Sequence, residues 1–165
     1  MTSLGAPNSN SSPITNWVFP VVIAILALVD GAIHLSLDFL VFHGNFFGAG
    51  SRPTPPPGAP GAHAGPLVPL PLPLNELFLL NFIGYVVLAA LILTAPRWLG
   101  SWQWLMDVVL FLYVAAVFLG WLDMGRPNPF GLAYASKGIE IVLVVALVAH
   151  VWSVLTSRPV QSATS

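Results

Sequence analysis

From Trp17 to Phe42 the chain reads WVFPVVIAILALVDGAIHLSLDFLVF, and only Asp30, His34 and Asp38 in it can ionise. Crossing the hydrocarbon core takes about 20 apolar residues in a helix, and this run is long enough. Three more runs match it, near Leu74 to Leu93, Trp102 to Leu122 and Ala135 to Leu155. Backbone polar groups in lipid must be satisfied within the segment, so each run is expected to be helical. None shows the short alternating segments of a membrane barrel. The fold expected is all-α, a four-helix transmembrane bundle. Residues 1–16 form a polar tail, 17–155 the transmembrane domain and 156–165 a second polar tail.

The composition agrees. The chain has 165 residues, 56% hydrophobic and only 7% charged, with a mean hydropathy of +0.84. A soluble domain carries about 25% charged residues, so most of this surface must face lipid. The net charge of −1 gives nucleic acid nothing to bind. There is no cysteine, which excludes disulfides, thiol chemistry and thiolate-held metals. The N-terminal MTSLGAPNSNSSPITNW lacks the basic start of a secretory signal, and the run after it is too long for a signal core. It reads as a retained span.

Pro20 falls in the first turn of its helix, where a missing N–H does no harm. Trp17, Trp102, Trp104, Trp121 and Trp152 lie near span ends, as an aromatic belt requires. The second and third runs are joined by a short link with Pro96 and Gly100, the third and fourth by DMGRPNPFG. The first and second are joined by the Pro/Gly-rich stretch 43–73, which reads as an extended linker without a core. Its Phe46 and Phe47, and its LVPLPLP end, could instead lie on the membrane or on a partner. Four spans put both termini on one side, here side A, and the long loop on side B. Basic residues divide almost evenly, so the positive-inside rule is indecisive. The easy passage of a long uncharged loop favours cytoplasmic termini in an inner (plasma) membrane.

Ionisable groups at membrane depth cost roughly 2.5–3.5 kcal/mol each on insertion scales, which makes them the informative residues. Asp30, His34 and Asp38 are spaced i, i+4, i+8 and share one helix face. That face should meet other helices. The second run brings Asn81 and, on the same face, Tyr85. The fourth brings Lys137 and Glu140, which can pair at i, i+3. Aligned by depth, His34, Asp38, Asn81 and Glu140 converge in the side B half, as a site between bundle helices would. A His between carboxylates can carry a proton. The same groups could also serve as interhelical glue, at about 0.6 kcal/mol per hydrogen bond. Gly31, Ala32 and Gly84 read as packing positions.

His34 and His150 count to similar depths, so a bis-His haem between the first and fourth helices is a candidate cofactor, against which stands the single histidine on each helix. No Glu-x-x-His pair is present for a di-metal site, and no dedicated metal ligand set is read from the spacing. His43 and His63 read as ordinary loop histidines. Walker, GxSxG, HExxH and dinucleotide motifs are absent. The broken, repeated helices of secondary transporters are absent too.

GAIHLSLDFLV from Gly31, ELFLLNFIGYVVLAALIL from Glu76 and AYASKGIEIVLVVAL from Ala133 together resemble a family of uncharacterised four-helix bacterial membrane proteins, common in actinobacteria. Its members carry His-Leu in the first helix, Leu-Phe-Leu-Leu-Asn opening the second and Tyr…Glu at the start of the fourth. The resemblance implies topology, and it puts His34, Asn81 and Glu140 on shared polar positions. The longer first loop and the added Asp30 and Asp38 depart from it. The function expected is that of a non-enzymatic accessory subunit or interaction partner in a membrane assembly, with another membrane protein or further copies of itself. The alternative is a protein handling a small molecule, quinone, haem or proton through the His/Asp/Asn/Glu cluster.

Overall fold

The structure, a computed structural model, describes residues 15–42, 72, 74–126 and 128–156. Four long helices make up almost all of it: α1 (Thr15–Phe42), α2 (Leu74–Trp98), α3 (Trp104–Asp123) and α4 (Leu132–Thr156). Each is long and apolar enough to cross a membrane, and no strand occurs among the described residues. The chain is therefore a polytopic membrane protein in a lipid bilayer. The expectations for loop 43–73, with its histidines and phenylalanines, lie outside the described residues except for Leu72, as does most of both tails.

The helices follow the hydropathy and differ at their ends: three run longer, and α3 starts at Trp104 after a 3₁₀ turn at Gly100–Trp102. α2 continues five residues past Leu93, to Trp98. Thr94 is polar, but its hydroxyl donates back to the Ala90 carbonyl at 2.9 Å and so has a partner within its own helix. Pro96 lies in the last turn and forgoes one backbone bond just before the helix ends at Trp98. α4 begins three residues before Ala135, with Asn128 Oδ1 accepting the Tyr134 N–H at 3.2 Å. The turn before it runs through a 3₁₀ segment at Pro129–Gly131. Gly125 and Gly131 take φ of 80° and 75° there, the left-handed region open to glycine.

α1 is the central element. It packs along α2 on one side and α4 on the other, and α3 closes the ring against α4 and, more lightly, α2. Close approach of α1 and α2 is set by Gly31. A Cβ there would stand 3.0 Å from Tyr85 Cβ. The apolar core joins Ile23, Ala24 and Ala27 of α1 to Leu88, Ala89 and Ile92 of α2, Leu110 and Val114 of α3, and Leu143 and Leu147 of α4. The outward faces carry Val21, Val22, Ile25, Leu112, Leu119, Val145 and Val148 into lipid. Trp17, Trp98, Trp102 and Trp152 are exposed at the ends. Trp121, by contrast, packs edge-on against Phe118 and Tyr134.

Candidate functional site

The acidic face of α1 turns inward. Asp30 and Asp38 are fully buried, His34 is 5% exposed, and Glu140 of α4 is 1% exposed. Ligand atoms of Asp30, His34 and Glu140, one from each side chain, lie within 4.8 Å of one another. The i, i+4 spacing on α1 stacks Asp30 under His34, and α4 brings Glu140 to the same level from across the bundle. Ser136, one turn before Glu140, donates its hydroxyl to Asp30 Oδ1 at 2.6 Å and stands 3.5 Å from Glu140 Oε1. Lys137 Nζ pairs with Glu140 Oε1. Lys137 is itself buried, with its ammonium 5.6 Å from the Phe118 ring and 5.7 Å from the Trp121 ring of α3. Rings of this kind attract a cation and help replace its lost hydration.

His34 Nδ1 lies 2.9 Å from the backbone carbonyl of Asp30 and 3.9 Å from Asp30 Oδ2. A carbonyl oxygen only accepts, so Nδ1 carries the hydrogen and Nε2 keeps the lone pair of the neutral ring. Phe78 and Tyr85 of α2 each hold the imidazole from a ring-centroid distance of 6.0 Å. The Tyr85 side chain is fully buried, and its hydroxyl is within electrostatic reach of Asp30 and Glu140.

Glu140 Oε2 has no hydrogen-bond partner; the Tyr85 hydroxyl interacts with the Asp30 carboxylate, although neither it nor Asp30 Oδ2 makes a hydrogen bond of good geometry. Both oxygens of Asp38, one turn from His34 toward side B, are also buried without one. Such groups cost about 1–3 kcal/mol each when left unmet. Unsatisfied buried atoms grouped in one place call for an explanation, such as an ordered water, an ion or a functional role.

The structure therefore brings together Asp30, His34, Glu140 and Tyr85. It does not bring Asn81 into that group. Asn81 Oδ1 accepts the Tyr113 hydroxyl of α3 at 2.5 Å, and Tyr113 meets Tyr85 edge-to-face at 5.1 Å. Asn81 is thus joined to the centre only through two tyrosine rings. Depth alone had suggested convergence, but its side chain turns toward α3.

His150 is not paired with His34 either. It lies ten residues beyond Glu140 on α4, which is about 15 Å of helical rise. Its Nδ1 stands 3.0 Å from Asp107 Oδ2 of α3, and Phe19 of α1 stacks on its ring at 5.7 Å. The two histidines belong to opposite halves of the bundle, and the bis-His haem arrangement does not form. Ser136, Tyr113 and the Asp107–His150 pair were not singled out as site partners from sequence. Depth counting signals the last, because Asp107 opens α3 on side A and His150 nears the end of α4 on side A. Ser136 and Tyr113 gave no such signal.

No family model, no curated relative and no solved structure matches the chain. The function must be read from the chemistry of the centre itself.

Proposed function

We propose that this polytopic membrane protein works by holding a cationic ligand inside the bilayer, at the centre formed by Asp30, His34, Tyr85 and Glu140. One observation carries the reading. Asp30 Oδ2 and Glu140 Oε2 are carboxylate oxygens, buried and without a hydrogen bond, at membrane depth. Structural glue has each polar group satisfied by another helix. Here Ser136 and Lys137 satisfy one oxygen of each carboxylate and leave the other open.

The accessory role is part of the same proposal. A single centre with no catalytic motif suits a small subunit that serves its ligand within a larger assembly. Placement in the plasma membrane with cytoplasmic termini belongs to the proposal as well, as does the family resemblance through His34, Asn81 and Glu140.

The test is the stability of Asp30→Asn in detergent with chelator present. Asparagine keeps the acceptor for Ser136 and removes the uncompensated charge. A site that trades stability for binding gives a variant that melts at or above the temperature of the parent. A clear fall in melting temperature would mean that the charge itself holds the helices together, and the ligand reading fails.

A further inference from the structure

The ligand class can be narrowed further, and this step rests on the cation reading just given. We propose that the centre binds one divalent first-row transition-metal ion, with His34, Asp30 and Glu140 as its protein ligands.

The first argument is how each side chain is held. Every one of the three has one polar atom tied by a neighbour and another left over. His34 Nδ1 is bonded to the Asp30 carbonyl, Asp30 Oδ1 to Ser136, and Glu140 Oε1 to Lys137. That leaves the Nε2 lone pair, Asp30 Oδ2 and Glu140 Oε2. Metal-binding imidazoles and carboxylates show this pattern, with the far atom oriented by a second partner that fixes the ring and the tautomer.

The second argument is charge. Among the described residues, the centre sets two buried carboxylates, Asp30 and Glu140, against one ammonium, Lys137. With both carboxylates ionised and His34 neutral the centre carries net negative charge, which a medium of low polarity penalises. A bound cation removes that penalty and holds the carboxylates in their ionised form. Asp107 does not enter this sum, because it meets His150 in the other half.

The third argument is donor type. One imidazole nitrogen and two carboxylate oxygens suit zinc, manganese or ferrous iron; magnesium and calcium prefer all-oxygen shells. Metal–ligand bonds of about 2.0–2.2 Å put tetrahedral ligand atoms about 3.5 Å apart. One ligand atom from each of the three side chains already lies within 4.8 Å of the others, and side-chain rotation that turns the free imidazole nitrogen toward the carboxylates has to close the rest. Three protein ligands leave a fourth position open to water or a small molecule. The Tyr85 hydroxyl, beside the Asp30 carboxylate, is placed to hydrogen-bond what sits there.

The experiment uses the full chain in nanodiscs, stripped with chelator and then titrated with Zn²⁺, Mn²⁺ and Co²⁺. The expected result is one ion per chain by elemental analysis, with a cobalt ligand-field spectrum of mixed nitrogen and oxygen donors. Glu140→Gln and His34→Gln should each abolish stoichiometric binding. Ser136→Ala, which touches no metal, should weaken it by about 10–100-fold. Asp107→Asn and the loop pair His43→Ala/His63→Ala should leave it unchanged. Absence of stoichiometric binding by all three ions overturns the metal assignment, as does binding that survives both Glu140→Gln and His34→Gln. If metal fails to bind while Asp30→Asn remains as stable as the parent, the metal inference falls and the broader cation reading stands. If Asp30→Asn is strongly destabilised as well, both fall together.

Discussion

Ser136 of α4 donates its hydroxyl to Asp30 Oδ1 of α1 at 2.6 Å, and neither residue reaches the surface. This bond ties the two helices at the level where α1 carries its deepest charge. Ser136→Ala removes the donor and leaves Asp30 Oδ1 unmet. The expected cost is about 1–3 kcal/mol, the penalty of a buried acceptor without a partner. Reversible unfolding in mixed micelles measures it, and an unchanged midpoint would show that the Asp30–Ser136 contact does not hold the bundle.

Lys137 and Glu140 form a buried ion pair on one face of α4. Truncating one member of such a pair is costly, about 3–5 kcal/mol, because the other charge is then uncompensated. Lys137→Met is therefore expected to destabilise strongly. Lys137→Met/Glu140→Leu removes both charges and should recover most of the loss. Equal destabilisation in the single and double variants would contradict this account.

Asp107 and His150 make a separate bridge between α3 and α4 on side A. Asp107→Ala and His150→Ala should each destabilise, and the double variant should lose less than the two together. The coupling expected for contacting residues is about 0.5–3 kcal/mol. Combined with Ser136→Ala, far along the bundle, His150→Ala should instead add within about 0.5 kcal/mol. A large coupling across that distance would show that the two polar sites communicate.

The helical glycines fall into two groups. A Cβ at Gly84 would run into the Tyr113 hydroxyl, and one at Gly31 would press on Tyr85. Gly84→Ala and Gly31→Ala should overpack the bundle at a cost of about 1–3 kcal/mol. Gly120 and Gly138 have open space where a Cβ would go. Alanine at either should gain roughly 0.5–1 kcal/mol, the ordinary preference of a helix interior for alanine over glycine. The melting temperatures of the four single variants decide the matter.

Much of this architecture was legible before any coordinates. Hydropathy locates four helices because lipid imposes the same demand on every spanning residue, and only the ends differ, by up to five residues, as in α2, which runs on past Leu93 to Trp98. The inward turn of Asp30, His34 and Asp38 follows from their shared face and their cost in lipid. Depth counting put Glu140 in the same half as His34, where their ligand atoms meet within 4.8 Å, but the same counting put His150 at that level too, and it lies on Asp107 in the other half. Counting could not settle Asn81, because depth says nothing about rotation around the helix axis. Asn81 is at a level from which either α1 or α3 can be reached, and the Tyr113 hydroxyl decides for α3. Ser136 escaped notice because serine is cheap to bury and can bond to its own helix. Only the facing carboxylate gives it a role.

The apolar layer of Ile23, Leu110, Val114, Leu143 and Leu147 separates the Asp30 centre from the Asp107–His150 pair. On the proposed cation reading this layer is an insulating septum, and a single copy of the chain is a dead-end berth: liposomes carrying it should show no ionic leak.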